Sequence, residues 1–206
     1  MPADRPQIYL VTPPAFDPGA FADPLARLLD AVPVACLRLA LASQSEEPVL
    51  RAADALREVA HARDLPLVIE RHVGLVARLG LDGVHLPDGA RGVRKARAAL
   101  GGDAIVGADC RASRHEGISA GEAGADYITF GPVGETGLGD GTRAEPDLFA
   151  WWSEMIELPV VAEGGLTPAL VEALAPVADF FAFGEEVWSA PDPLGALRAL
   201  AAPILD

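Results

Sequence analysis

The sequence has little positive charge. Only 16 Lys and Arg residues stand against 30 Asp and Glu residues, which gives a formal net charge of −14. Nucleic acids and anionic membranes bind basic surfaces, so we expect neither as a partner. The same acidity would repel a diphosphate unless local arginines or a metal ion compensated for it.

Cysteine and long hydrophobic runs are also scarce. Cys36 and Cys110 have no Cys or His beside them at metal-ligand spacing, which favours buried, reduced thiols. No stretch approaches the ~18 apolar residues of a membrane span, and the first residues, "MPADRPQ", show no apolar signal-peptide region. We therefore expect a cytoplasmic protein that acts on a small-molecule ligand.

No glycine-rich dinucleotide motif follows the first hydrophobic run, where the sequence reads "TPPAFDPGA". This absence disfavours a doubly wound nucleotide-binding sheet. The chain also lacks a linker-like segment, and its 206 residues, 50% of them hydrophobic, suffice for one sizeable core. The sequence therefore predicts one domain over residues 1–206.

Short apolar runs alternate with helical patterns along nearly the whole chain. The predicted strands are "QIYLVT" (7–12), "VACLRLA" (34–40), "LPLVIE" (65–70), "GVHLP" (83–87), "AIVGADC" (104–110), "YITFGPV" (127–133), "PVVAEGG" (159–165) and "FFAFG" (180–184). The predicted helices cover 21–31, 46–63, 73–79, 91–100, 113–123, 146–156, 168–174 and a last one from 193. Apolar strands alternating with helices indicate a parallel sheet covered on both faces, and eight such units predict a (β/α)₈ TIM barrel.

Functional residues of such a barrel lie where the strands end. The polar residues and glycines at these positions are our candidate ligand-binding residues: Arg38, Glu70, Arg71, His85, Asp109, Thr136, Glu163, Gly164, Gly165 and Glu185. Two arrangements of the charged ones remain open. Arg38, Arg71 and Arg111 either form a basic ring for an anionic ligand or pair with the neighbouring carboxylates.

Several motifs resemble the thiamine phosphate synthase and TenI-like family of barrels. They are "DGVHLP" (82–87), "IVGADC" (105–110), "GADYITFGPVGET" (124–136), "PVVAEGGLT" (159–167) and "ADFFAFGEEVWSAPDPLGAL" (178–197), in the family's order and spacing. With the weaker match "VACLRLA" (34–40), the resemblance spans residues 7–200. It implies a transferase that couples hydroxymethylpyrimidine diphosphate with thiazole phosphate using Mg²⁺, or a TenI-type enzyme that aromatises thiazole phosphate without a metal.

The chain departs from the family's motifs where the resemblance places diphosphate and metal. The family's Gln-x-Arg-x-Lys after strand two retains only Arg38, and its Asn-Asp after strand three is Glu70-Arg71. The second metal-binding Asp falls near Ala90, which leaves Asp88 as the surviving metal candidate. An arginine at a metal-ligand position repels Mg²⁺, so the implied cofactor conflicts with these residues.

Further departures follow strands five to eight. Asp109 replaces a serine, and Pro132 stands where TenI members have a catalytic histidine. The family's phosphate-contacting Thr-x-Thr-Lys after strand six is Thr136-Gly137-Leu138-Gly139 here, so only the first threonine is kept. The motifs that carry the family's chemistry are therefore largely degraded.

The last departure concerns the phosphate-binding corner after strands seven and eight. Gly164 and Gly165 are kept, but Glu163 precedes them and Glu185, followed by Glu186, replaces a serine. Each close like-charge pair costs ~1–4 kcal/mol, whereas a helix dipole returns ~0.3–2 kcal/mol. We therefore predict that this corner holds no phosphate in the family's manner.

Two functions follow as alternatives. The first is a diverged thiamine phosphate synthase. The second is a non-catalytic or repurposed barrel that binds a neutral or cationic small molecule, or acts as a regulatory partner.

The sequence leaves the roles of three residues open. His85 is either an inward-facing structural histidine or a ligand contact, and His72 either caps the third helix or has a function. Trp188 either flanks the mouth of the barrel or contacts a second copy in a homo-oligomer.

Overall fold

The computed structural model describes residues 5–43, 45–136 and 141–205. Eight parallel strands close into a barrel in chain order, and β8 pairs with β1. The strands are β1 (Gln7–Val11), β2 (Cys36–Leu39), β3 (Leu67–Glu70), β4 (Gly83–Leu86), β5 (Ile105–Asp109), β6 (Tyr127–Phe130), β7 (Val160–Glu163) and β8 (Phe180–Phe183). The predicted (β/α)₈ barrel is confirmed.

Helices follow the strands and cover the barrel from outside. They are α1 (Pro18–Ala31), α2 (Glu46–His61), α3 (Val73–Leu79), α4 (Val93–Leu100), α5 (Arg114–Glu122), α6 (Pro146–Met155), α7 (Pro168–Leu174), α8 (Glu185–Trp188) and α9 (Pro193–Leu205), with a 3₁₀ turn at Gly89–Gly92. No helix in the described ranges is long and apolar enough to cross a bilayer.

Most predicted helix boundaries lie within two residues of the observed ones, but the structure differs from the prediction in three places. Helix α1 begins three residues early because Asp17 accepts a hydrogen bond from the Ala20 amide as N-cap and Pro18 takes the first helical position. The predicted helix 91–100 is divided, since a 3₁₀ turn precedes α4. The short α8 is absent from the sequence prediction, because four residues carry no helical periodicity.

Two groups of buried side chains organise the interior. The larger fills the space between the barrel and its helices. The smaller lies inside the barrel and contains Tyr9, Val11, Cys36, Val68, Tyr127, Val161 and Ala182. Side chains alternate along a strand, so the residues that share this inner face continue to the carboxyl ends of the strands as Arg38, Asp109 and Glu163. The fold thereby turns these three side chains toward one another at the mouth.

Candidate active site at the carboxyl ends of the strands

Two neighbouring cavities open at the carboxyl end of the barrel. The larger, which we call the main cleft, has a volume of about 940 Å³ and is walled by the ends of β5 to β8. The smaller, of about 490 Å³, lies between the ends of β4 and β5 and is lined by residues that include Asp88, Ala90 and Cys110. Asp109 and Arg111 line both, so the cavities share a wall. Five predicted site residues line the main cleft: Asp109, Thr136, Glu163, Gly164 and Glu185.

Arg38 and Glu163 form an ion pair across the top of the barrel. Both guanidinium Nη atoms donate to the carboxylate, with Nη1 3.1 Å from Oε2. Arg38 is 3% exposed. Burial alone would lower the pKa of Arg38, but the Glu163 charge outweighs it and raises that pKa. Glu163 is therefore a neutralised partner of Arg38 and not an unpaired negative charge at the phosphate corner.

A buried polar chain lies beneath this ion pair. The hydroxyls of Tyr9 and Tyr127 are 2.6 Å apart, and the Tyr127 hydroxyl is 3.0 Å from Nδ1 of His85. Burial, followed by the charges of Arg38 and Arg71, holds the pKa of His85 well below its usual value of 6.5. His85 is therefore neutral at pH 7 and hydrogen-bonded within the barrel, which is the structural alternative of the two that the sequence left open.

The Tyr127 ring occupies space that only glycine leaves on the neighbouring strand. A Cβ on Gly107 of β5 would lie 2.1 Å from the ring.

The Arg38 guanidinium lies 5.6 Å from the centre of the Tyr9 ring, within reach of a cation–π interaction. Neither tyrosine was among the residues that the sequence predicted for the site. Both face the inside of the barrel, from β1 and β6. Their contact can be recognised only when the register of the strands is known.

Two arginines follow strand ends in the left-handed backbone conformation. Arg71 has φ of 70° and Arg111 has φ of 49°. Residues other than glycine rarely adopt this conformation, and it concentrates at functional sites. Arg71 pairs with Glu70, its Nε being 3.1 Å from Oε1, and half of its side chain is exposed. Arg111 is exposed and forms no ion pair within the described ranges, so it supplies a free positive charge to the cleft.

Asp109 ends β5 beside Arg111. Its Oδ1 accepts a hydrogen bond of 2.9 Å from the Arg111 amide and one of 3.4 Å from the Thr129 hydroxyl. Burial raises the pKa of Asp109 above 3.8, the Arg111 amide lowers it, and the Glu163 charge raises it further. The candidate arginines thus divide between the two predicted arrangements: Arg38 and Arg71 pair with carboxylates, while Arg111 remains available.

Gly164 and Gly165 form a close contact with the loop after β6. Both are left-handed, with φ of 85° and 68°. The Gly164 carbonyl accepts hydrogen bonds from the amides of Val133 and Gly134 at 3.0 and 2.9 Å. A Cβ on Gly165 would lie 2.8 Å from the Glu135 carbonyl oxygen. This packing by itself requires the glycine pair, whether or not the corner binds phosphate.

The two glutamates after β8 differ in their contacts. Glu185 is exposed and lines the main cleft, as predicted. Glu186 is half-buried, and its carboxylate accepts hydrogen bonds from the amides of Leu166 and Gly184 at 3.1 and 3.2 Å. From the sequence, Glu186 was only a further negative charge, and these contacts were not predicted.

The residues at the proposed metal position do not fit Mg²⁺. In residues 5–43, 45–136 and 141–205, no group of three or more His, Cys, Asp or Glu side chains is placed to hold a metal ion. Asp88 is exposed, and Glu70 is already paired with Arg71. At Ala90, the backbone amide donates to Glu116 at 3.1 Å. The described residues at this position therefore do not form a Mg²⁺ site.

The structure also places two residues whose roles the sequence left open. His72 is the N-cap residue of α3, the position that the capping alternative predicted, but its side chain makes no capping hydrogen bond. Trp188 packs inward: its indole nitrogen donates to the Val11 carbonyl at 2.6 Å and its ring packs edge-on against Phe21 at 4.8 Å. These contacts attach α8 to β1 and α1.

The remainder of the predicted phosphate-contacting loop after Thr136 lies within residues 137–140, which are outside the described residues.

Comparisons with known proteins agree with this architecture. The family model described as thiamine monophosphate synthase matches residues 8–186. A thiamine-phosphate synthase of Rhodospirillum centenum is 46% identical over 200 residues, covering 95% of this chain and 94% of the relative. Another, of Erythrobacter litoralis, is 36% identical over 204 residues, covering 96% and 95%.

A solved structure gives the same fold. Thiamine phosphate pyrophosphorylase from Pyrococcus furiosus superposes with a TM-score of 0.82 at 20% identity, covering 96% of this chain and 95% of that one. At this identity the likeness concerns the fold alone. The family model and the two sequence relatives carry the assignment further: the chain belongs to the thiamine monophosphate synthase family.

Proposed function

We propose that this protein is a cytoplasmic transferase of thiamine biosynthesis, which joins a hydroxymethylpyrimidine diphosphate to a thiazole phosphate. The observation that carries the proposal is the pair of adjoining cavities that share Asp109 and Arg111. A condensation of two small molecules needs two neighbouring subsites with the reacting atoms at their boundary. The names of the sequence relatives support the choice of substrates.

The proposed reaction forms one bond and breaks one. The thiazole ring nitrogen donates its lone pair to the methylene carbon of the pyrimidine, and the carbon–oxygen bond to diphosphate breaks. Diphosphate leaves with that electron pair, and the thiazole becomes a thiazolium cation. No proton has to be transferred in this step. The protein must therefore stabilise a departing anion and a developing cation within a few ångströms of each other.

The charges at the shared wall suit both requirements. The Arg111 guanidinium is free of carboxylate partners in the described chain and would stabilise the departing diphosphate. Asp109 faces the same cleft as a partly buried carboxylate and would lie near the developing cation. Arg71, half-exposed at the end of β3, would add positive charge at the position where the family holds a metal. Arginines would therefore stabilise the departing diphosphate.

A turnover assay with purified protein tests this proposal. We expect the wild type to form the coupled product and Arg111→Ala to lower kcat/KM by about 10²–10³-fold, as removal of one charge-stabilising donor typically does. Arg94→Ala is the matched control, because Arg94 is exposed on α4 away from both cavities. Equal activity of the two variants would contradict the role of Arg111. Absence of turnover by the wild type with every substrate pair would contradict the proposed function.

The second candidate is a non-catalytic or repurposed barrel for a neutral or cationic small molecule, or a regulatory partner. The observation in its favour is that Asp109 and Glu185 line the main cleft and form no ion pair within the described residues. Thermal unfolding separates the candidates. Stabilisation by the pyrimidine diphosphate supports the transferase, whereas stabilisation by thiamine alone, without turnover, supports the second candidate.

A further inference from the structure

Positive charge in this acidic chain is concentrated beside the smaller cavity. Residues 91–114 contain six of the 16 Lys and Arg residues but only two of the 30 Asp and Glu residues, a formal net charge of +4 against −14 for the whole chain. Of these six cations, only Arg97 forms an ion pair within the described residues, with Asp126. The segment runs from the turn after β4 through β5, and five of its residues line the smaller cavity. A local positive field beside a concave site attracts anionic ligands.

Arg91 and Arg111 are the two cations that line the smaller cavity. Both are exposed, and neither side chain forms an ion pair in the part of the chain that the structure describes. A guanidinium carries five N–H donors in a planar fork that matches the oxygens of a phosphate group. These donors are therefore available to a ligand with several anionic oxygens.

Three carboxylates line the same cavity, and two of them are held by backbone amides. Oδ1 of Asp109 accepts from the Arg111 amide at 2.9 Å, and Oε2 of Glu116 accepts from the Ala90 amide at 3.1 Å. Asp88 is exposed, so water and salt screen its charge. The lining thus combines carboxylates that are largely engaged or screened with guanidiniums whose donors are unused.

The main cleft offers less free positive charge. Arg111 lies on the wall that it shares with the smaller cavity, and its other cation, Arg143, pairs with Glu135 at 3.1 Å. Among the described residues, the main cleft therefore has one unpaired cation where the smaller cavity has two. A diphosphate ester carries more negative charge than a phosphate monoester, so the smaller cavity suits the diphosphate better.

We propose that the smaller cavity is the diphosphate subsite and that Arg91 is a binding residue for the pyrimidine diphosphate, together with Arg111. The inference rests on the proposed function for the identity of this substrate. The cavity volume of about 490 Å³ lies within the range of small-molecule sites. The thiazole phosphate is then left with the main cleft, and the reacting carbon and nitrogen meet at the wall formed by Asp109 and Arg111.

Calorimetry tests the subsite without requiring turnover. Inorganic diphosphate is titrated in the presence of EDTA into the wild type, Arg91→Ala, Arg91→Lys and Arg94→Ala. We expect the wild type to bind, and Arg91→Ala to bind about tenfold more weakly or worse, because it loses a charge-assisted donor. Arg91→Lys keeps the charge but loses the planar fork, so we expect an intermediate loss.

Arg94→Ala is the matched control for the general field of the basic segment. It removes the same charge from an exposed position on α4 that lines neither cavity. We expect it to change the affinity for inorganic diphosphate by less than about twofold at 0.15 M salt, where exposed charges are screened beyond about 8 Å.

Steady-state kinetics and amide NMR assign the effect to one subsite. Arg91→Ala should raise the KM for the pyrimidine diphosphate by about tenfold and leave the KM for thiazole phosphate within about twofold of the wild-type value. Inorganic diphosphate should shift the amide resonances of Gly89 and Ser113, which line only the smaller cavity. It should leave those of Gly134 and Gly164, which line only the main cleft, unchanged.

Three results would overturn the inference. They are the absence of diphosphate binding to the wild type in EDTA, equal losses of affinity for Arg91→Ala and Arg94→Ala, and diphosphate-induced shifts in the main cleft without shifts in the smaller cavity. Failure of turnover with every substrate pair would instead contradict the proposed function and leave these binding results intact.

Discussion

Replacing Glu163 by alanine should destabilise the barrel strongly, because it leaves the Arg38 charge buried without its partner. Arg38 is 3% exposed, and its Nε already has no hydrogen-bond partner in the described structure. Breaking a buried ion pair by removing one partner costs about 3–5 kcal/mol of unfolding free energy. The Tyr9 ring, 5.6 Å from the guanidinium, returns about 0.5–2 kcal/mol at best and is already present in the wild type.

We therefore expect Glu163→Ala to lower the free energy of unfolding by about 3 kcal/mol or more. For a chain of 206 residues, a loss of 1 kcal/mol lowers the Tm by about 2–4 °C, so the expected fall is about 6–12 °C. Urea unfolding followed by circular dichroism gives the free energy, and a thermal scan gives the Tm. Glu185→Ala is the control, since Glu185 is exposed and should change stability by less than about 0.5 kcal/mol.

A double variant separates the loss of the ion pair from the loss of the glutamate side chain. Arg38→Met together with Glu163→Ala removes both charges, and it should recover much of the stability lost in the single variant. The reasoning is refuted if Glu163→Ala costs less than about 1 kcal/mol, which is the value of an exposed pair. It is also refuted if the double variant is no more stable than the single one.

Two other substitutions follow from the same region. Gly165→Ala should destabilise by about 1–3 kcal/mol because φ is 68° and the new Cβ would lie 2.8 Å from the Glu135 carbonyl. The control Gly74→Ala, in an exposed helical position with nothing within 4 Å of the Cβ, should be neutral or stabilising in the same urea titration. Asp109→Asn should stabilise the protein at pH 7. Burial raises the pKa of Asp109 in the folded state above 3.8, so the folded protein favours the protonated carboxyl. The stability of the wild type therefore falls as the pH rises from the unfolded-state pKa through the folded-state pKa. This gain should vanish below about pH 4 in matched urea-unfolding curves of the wild type and the variant.

The sequence predicted the fold well because its signals are local. Each strand is a short apolar run buried on both faces, and most helices start at a recognisable cap or proline, such as Thr167 followed by Pro168. Eight such units restrict the topology to a barrel. Helix α8 was missed because its four residues are held by tertiary contacts, notably the hydrogen bond from Trp188 to Val11, which joins positions 177 residues apart.

The site was predicted less completely, because its decisive contacts are long-range. Sequence spacing places Arg38 and Glu163 at strand ends but cannot show that they pair across 125 residues. The two tyrosines on β1 and β6 had no local signal either, since their contact depends on the register around the barrel. Strand-end position therefore identifies which side chains reach the mouth, while the pairing among them requires the closed structure.

The stretch "VAEGGLTPALVEAL" (161–174) shows why a retained motif does not establish a retained ligand. Its glycine pair has the left-handed geometry of a phosphate-binding turn, but the same geometry lets the Gly164 carbonyl accept two amides of the loop after β6. Loss of either glycine would disturb that loop contact, so packing alone is enough to retain both. The nearby Leu166 amide is bonded to Glu186. The shape of the corner thus follows from loop packing and does not by itself indicate a bound phosphate.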